Sequence, residues 1–407
     1  MKLTLLSTLL LFATLSFAAT PAETAIKQAL TSIEKQPAHY PYYNALAMAY
    51  ARRARETSDV RFYAMAEETL QQSFALAPDN FEGLKVVTAI QLGRHEFGKA
   101  LKTATRLNKM VPDDVAVYGY QVDANVELGN YEDAVTAAQW MLDLRPGNAP
   151  GLARAGYLRE LHGNLSGALE LTKLAYEATP PAESEERARL LAQMAHVELL
   201  SGDISKADAD AGNALTVFPE YHCALAVLAQ VRIAQKRYPD AVALLASRYK
   251  AAPRAKNLYW LAEAQSLAGR REEASASFAE FERQALAESA LADNSNRELV
   301  LYYVDRAGEP AKALEIARRE AERRHDIFTL DTYAWALAAN GDYRAADAQI
   351  QQALAFGVKD PRVLSHAGAI ALDLQRNGDA APRPEAPAKP TSLPGSAGSN
   401  TAHNRSL

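Results

Sequence analysis

Eight histidines and a single cysteine are the residues of this 407-residue chain best suited to metal binding or nucleophilic chemistry. His222 and Cys223 are adjacent, the pairing of base and thiol on which nucleophilic catalysis is built. Neighbours on a helix point in different directions, so the adjacency predicts a structural cysteine rather than an activated thiolate. His95, His162, His196, His222 and His325 have neither one another nor carboxylates at metal-ligand spacing, and there is no HExxH. A phosphate-binding loop and a nucleophile elbow are also missing. The expectation is a protein that is not an enzyme and needs no cofactor and no metal. One cysteine allows no intramolecular disulfide, so stability must come from packing.

Charge narrows the partners. A formal net charge of -5 and a pI near 6.0 give no reason to expect nucleic acid, whose binding rests on clustered lysine and arginine. The run "EIARREAERRHD" at 315–326 looks basic at first, yet Glu315 and Arg319, Arg318 and Glu322, and Glu320 and Arg324 are each four apart. That spacing predicts a self-compensated, solvated helix face.

At the N-terminus, Lys2 and the apolar run from Leu3 to Phe17 lead into Ser16-Phe17-Ala18, with small residues flanking a cleavage point. This predicts a signal peptide over 1–18, export to the periplasm or the medium, and no membrane insertion after cleavage. An uncleaved anchor is the alternative. At the other end, residues 380–407 are rich in Pro and Ser and predict a disordered tail. Pro384, Pro387 and Pro390 within it have the spacing of a polyproline ligand.

Between these ends the sequence repeats. The alanine that closes "GNYEDA", Ala134, has counterparts at Ala66, Ala100, Ala168, Ala207, Ala241, Ala274, Ala313 and Ala346, separated by 33, 34 or 39 residues. Twelve residues after the marker stands Pro78, Pro112, Pro146, Pro180, Pro219 or Pro253, where proline ends a helix. Five before it stands Gly129, Gly163, Gly202, Gly269, Gly308 or Gly341, suited to a left-handed turn between two helices. Twelve before it, Gly156, Ala195, Ala229, Ala262 or Ala334 lets two helices approach closely. Arg61, His95 and Lys236 replace the turn glycine, and Thr88, Val122 and Leu301 the small residue. An inserted loop is expected around "RETSDV", an extension at "PPAESEE", and a longer helix through "FERQALAESALADNSN".

This pattern resembles the tetratricopeptide repeat, a helix-turn-helix unit of 34 residues, most clearly in "ELGNYEDAVTAAQWMLDLRPGN". The resemblance implies an all-α fold, a tetratricopeptide-repeat right-handed superhelical solenoid of antiparallel helix pairs. Residues 19–41 are expected as an N-terminal capping helix, and 42–379 as the solenoid, about nine repeats and a terminal half repeat. Each unit is expected to bury its apolar stripe only against its neighbours. First helices of such arrays line a concave groove that holds an extended peptide or a partner helix. On this chain the groove positions are Tyr157, His196, Tyr259, Glu263, Glu298, Tyr302, Asp305, Asp331 and Trp335, an aromatic and mildly acidic set. The implied function is a non-catalytic protein-protein interaction scaffold binding a protein or peptide segment in that groove. The alternatives are a structural subunit of a cell-envelope assembly that uses its ends or convex face, and an accessory regulator of a separate enzyme.

Overall fold

The computed structural model describes residues 19–291 and 296–376. The expected signal peptide and tail lie outside them. After α1 (Pro21–Lys35), helices come in pairs: α2 (Tyr40–Thr57) with α3 (Arg61–Leu76), α4 (Phe81–Gly93) with α5 (Phe97–Met110), α6 (Val115–Leu128) with α7 (Tyr131–Leu144), and α8 (Ala149–Leu161) with α9 (Leu165–Ala178). Then follow α10 (Ser184–Leu200) with α11 (Ile204–Val217), α12 (His222–Ala234) with α13 (Tyr238–Ala251), and α14 (Ala255–Leu267) with α15 (Arg271–Glu288). The eighth pair is α16 (Asn296–Tyr302), continued by a π turn at Tyr303–Ala307, with α17 (Pro310–Arg323). The ninth is α18 (Ile327–Ala339) with α19 (Tyr343–Leu354), and α20 (Pro361–Arg376) closes the array as a half unit.

Local chemistry explains the punctuation. Pro78, Pro112 and Pro146 stop one pair, and Asn80, Asp114 and Asn148 two residues later cap the next helix by accepting from the backbone N–H three positions on. The turn within each pair needs a left-handed residue. His95 and Lys236 adopt it where glycine is missing, with φ of 57° and 59°. In the first pair the left-handed residue is Ser58 rather than Arg61, which instead opens α3. The expected "RETSDV" loop is correspondingly short, because α2 runs on through Thr57.

The marker alanines are fully buried in eight units and 4% exposed at Ala274. A Cβ on Gly156 would sit 2.7 Å from the Thr172 hydroxyl and 3.2 Å from the Ala168 carbonyl, so the pair α8 and α9 touches where both positions are small. Consecutive first helices pack on one another more closely than consecutive second helices do, which puts the first helices on the inside of the curve.

The expectation of purely neighbour-to-neighbour packing does not hold. One apolar cluster joins Val122, Tyr131, Met141 and Leu158 of units three and four to Ile327, Leu337, Ile350 and Ile370 near the other end. The array coils until its turns touch. The Arg52 and Arg55 side chains of α2 pair with Glu183 and Glu185 at the start of α10, at 2.5 and 3.4 Å. Gly129 lies against the His325 carbonyl and Gly163 against that of Gly357. The ends of α6 and α8 therefore seat on the loops that precede α18 and α20.

Candidate interaction site

The inner wall of the last three units is organised by the π turn. A π turn inserts one residue into a helix and re-aims the side chains that follow. Here it leaves Asp305 and Arg306 exposed between two neighbours. Asp305 accepts from the Trp335 indole N–H of α18 at 2.8 Å. Arg306 forks onto Glu263 of α14 at 3.0 and 2.6 Å, a bidentate geometry that keeps the guanidinium charged and raises its pKa. One turn of chain thus ties three successive first helices together.

Aromatic contacts extend this wall. Tyr302 stacks on Phe278 with ring centroids 5.6 Å apart, and Trp335 lies parallel to His366 of α20 at 4.3 Å and 4°. The His366 Nδ1 stands 2.8 Å from the Asp331 carboxylate, which is 1% exposed. Arg362 lies over Trp260 at 5.4 Å.

Seven of the nine positions named from the sequence, Tyr259, Glu263, Glu298, Tyr302, Asp305, Asp331 and Trp335, fall on this wall of α14, α16 with its π turn, and α18. Tyr259 and Asp331 are buried beneath it and offer no surface. Burial pushes the Tyr259 hydroxyl pKa up, so it stays neutral. The acidic character expected of the groove is reduced, because Glu263 is neutralised by Arg306 and Asp331 is held by His366. Glu298 faces Lys256 and Arg248, cations whose pKa burial lowers and its field partly restores. Tyr157 and His196 lie elsewhere, on α8 and α10. His196 Nε2 is 3.4 Å from Glu160, and although burial works against its charge this pairing raises its pKa. The Tyr157 hydroxyl is desolvated and held neutral in the field of Glu127 and Glu160.

The sequence pattern missed Arg306 and His366, and it missed the charged joint between turns. Arg324, expected on a solvated face, pairs with Glu127 of α6 at 3.3 Å, while its helix neighbour Glu320 is 5% exposed and binds Asn296. Burial pushes the Asp326 carboxyl up, but Arg297, Arg324 and the Thr329 hydrogen bonds outweigh it and hold the pKa below the ordinary value. The Tyr131 hydroxyl accepts from the Ile327 N–H at 2.9 Å. The one signal for the π turn was Leu301, a large residue where most units carry Gly or Ala. Thr88 and Val122 interrupt the same position in helices that stay α, so that signal alone does not suffice.

The His222 and Cys223 side chains do meet, contrary to the expectation from their adjacency. They open α12, where the first turn lets Sγ approach Nδ1 to 3.5 Å, while Nε2 stands 3.1 Å from the Arg55 carbonyl. Burial pushes the thiol up, and His222 with Arg248 more than reverses this, bringing it down to about 7. The pair lies where the start of α12 meets the last turn of α2.

Among the described residues, no group of three His, Cys, Asp or Glu is placed to hold a metal ion, and no helix is long and apolar enough to cross a membrane.

No family model matches the chain, and neither does any curated protein. Solved structures do resemble it. The crystal structure of the APC/C hetero-tetramer Cut9-Hcn1 shares 11% identity at a TM-score of 0.48, over 85% of this chain and 58% of that one. This chain therefore spans little more than half of it. A thermophilic TPR protein of Thermus thermophilus shares 19% identity at a TM-score of 0.40, over 46% of this chain and 99% of that one. The human IFIT1 dimer with m7Gppp-AAAA shares 12% at 0.49, over 83% and 86%. Likeness at this level carries no information on ligand or partner. The helix pairs themselves define the class: an all-α solenoid of tetratricopeptide-like units.

Proposed function

We propose that the protein is an exported, non-catalytic scaffold that captures an extended protein segment on the inner wall of units seven to nine. The observation that carries this reading is the π turn, which presents exposed Asp305 and Arg306 beside Trp335 and Tyr302 on a base fixed by three helices. Such a base supports recognition because little order is lost on binding, and aromatic side chains anchor protein contacts with few rotatable bonds. Export is supported by Lys2 and the apolar run that follows it, and cell fractionation tests it directly.

Affinity capture from the native envelope, followed by mass spectrometry, tests the site. Asp305→Lys, and separately Tyr302→Ala with Trp335→Ala, should each lower recovery of the partner at least tenfold, about 1.4 kcal/mol, while the helical signal persists. Full recovery by both folded variants would favour the structural-subunit alternative.

A further inference from the structure

The outer face carries a feature that the inner-wall reading does not use. Helix α5, "FGKALKTATRLNKM", bears Lys99, Lys102, Arg106 and Lys109 and no acidic residue, in a chain with a formal net charge of -5. Lys99 is paired with Glu96 at 3.1 Å, and Arg106 reaches only an exposed Asp79 at 3.7 Å. Among the described residues Lys102 and Lys109 have no ion-pair partner within 4.0 Å. Gly98, Leu101, Lys102, Thr105, Arg106 and Lys109 form one open face of this helix. Their spacing is one unbroken helical stripe, roughly 16 Å long at the rise of an α-helix. Gly98 opens one end, since a Cβ there would meet nothing within 4 Å.

The other end is apolar. Met110 is 47% exposed and Trp140 of α7 is 49% exposed. The Trp140 ring stacks on Tyr118 at 6.0 Å and 16°, and the Tyr118 hydroxyl donates to the carbonyl of Pro112, two residues past Met110. A basic stripe therefore leads toward an exposed tryptophan backed by a half-buried tyrosine.

We propose that this stripe docks an acidic amphipathic segment of another protein, its carboxylates on Lys102, Arg106 and Lys109 and its apolar residues on Leu101 and the Trp140–Tyr118 pair. Charge complementarity selects an acidic segment on a stripe that carries four cations and no carboxylate, and exposed tryptophan supplies the anchor. A nucleic acid would find too few cations here to release many counterions. A stripe confined to one helix and about 16 Å long matches a short peptide segment better than an extended lipid surface.

The test uses the purified protein and a fluorescein-labelled peptide of Glu, Leu and Ala about as long as the stripe, with a Gln-for-Glu counterpart, read by anisotropy at low salt. The Glu peptide should bind, the Gln peptide should not, and Lys102→Glu with Arg106→Glu should weaken binding at least tenfold. Lys102→Gln with Arg106→Gln should give a smaller loss, and Trp140→Ala a loss of severalfold. Lys27→Glu with Lys250→Glu, the same charge change on other helices, and Asp305→Lys on the inner wall should leave binding unchanged. Circular dichroism melting confirms that each variant is folded. Failure of the Glu peptide to bind would overturn the proposal. So would equal losses in the two Lys/Arg-to-Glu double variants, or binding of phosphatidylglycerol vesicles or duplex RNA in place of the peptide.

Discussion

Arg324 and Glu127 are separated by 197 positions in the chain, and their charged groups stand 3.3 Å apart. An open solenoid has no such contact, because each unit sees only its neighbours. Here the pair sits in a joint with Arg297, Glu320 and Asp326, beside the apolar cluster shared by units three, four and nine. The joint converts a one-dimensional stack into a closed coil.

Where the turns of the coil approach one another backbone to backbone, glycine is replaceable at some inter-helix turns and not at others. Gly163 and Gly269 share a left-handed backbone, with φ of 71° and 74°. An alanine at either position bears the left-handed penalty of about 1 kcal/mol. At Gly163 the added Cβ also runs into the Gly357 carbonyl, whereas at Gly269 it meets nothing. Gly163→Ala should therefore cost about 1 to 3 kcal/mol more than Gly269→Ala. Urea denaturation of the two variants, with small-angle scattering to follow the coil's dimensions, measures the difference, and equal costs would mean the turns do not touch in solution.

Removing the cation from the joint should be severe. Arg324→Met would leave Glu127, Glu320 and Asp326 together without one of the positive charges that hold them, and buried charges stripped of a partner cost about 3 to 5 kcal/mol. Because Arg324 is partly accessible, the lower end is expected. The loss should appear as a thermal transition that broadens or splits as the two turns unfold separately. A single transition with an unchanged midpoint would show that the joint does not stabilise the coil.

The contact within a pair is tested by Ala134→Leu. The alanine is fully buried where α6 meets α7, and the extra methylenes have no space to enter. Overpacking of this kind costs about 1 to 3 kcal/mol, to be read as a lowered midpoint with the helical signal retained below it. An unchanged midpoint would show that the helices do not pack through this residue.

The helix pairs were legible in the sequence because their causes are local. Ala134 needs a small neighbour, Pro112 stops a helix, and Asp114 caps the next one, all within one repeat. The closure was not legible, because it joins residues such as Glu127 and Arg324 that no repeat relates. On helix spacing alone, Glu320 and Arg324 make a solvated ion pair, and only the coil turns that face inward. The same holds for the wall: the repeat placed Asp305 and Trp335 on first helices, but the π turn that brings Arg306 onto Glu263 depends on packing around Leu301 and Tyr303. Ser58 shows a third limit, since an inserted segment moved the left-handed residue away from the position that the repeat spacing assigned.

A last expectation concerns pH and Glu198. This residue of α10 is 7% exposed, and its Oε2 has no hydrogen-bond partner. Burial, reinforced by the carboxylates of Asp210 and Asp203 and only partly opposed by Lys206, pushes its pKa up to about 7 from an ordinary 4.5. The folded protein thus holds this proton more tightly than the unfolded chain does. Its contribution to stability is complete below pH 4.5, declines as pH rises, and is lost above about 7. Glu198→Gln keeps the shape and removes the titration. The variant should therefore gain stability relative to the parent at pH 8, on the order of 1 kcal/mol after allowance for solvent screening near the helix end. The gain should shrink toward zero as the pH falls to 5. Paired urea titrations across that range measure it, and a difference that stays constant with pH would show that Glu198 is not the group responsible.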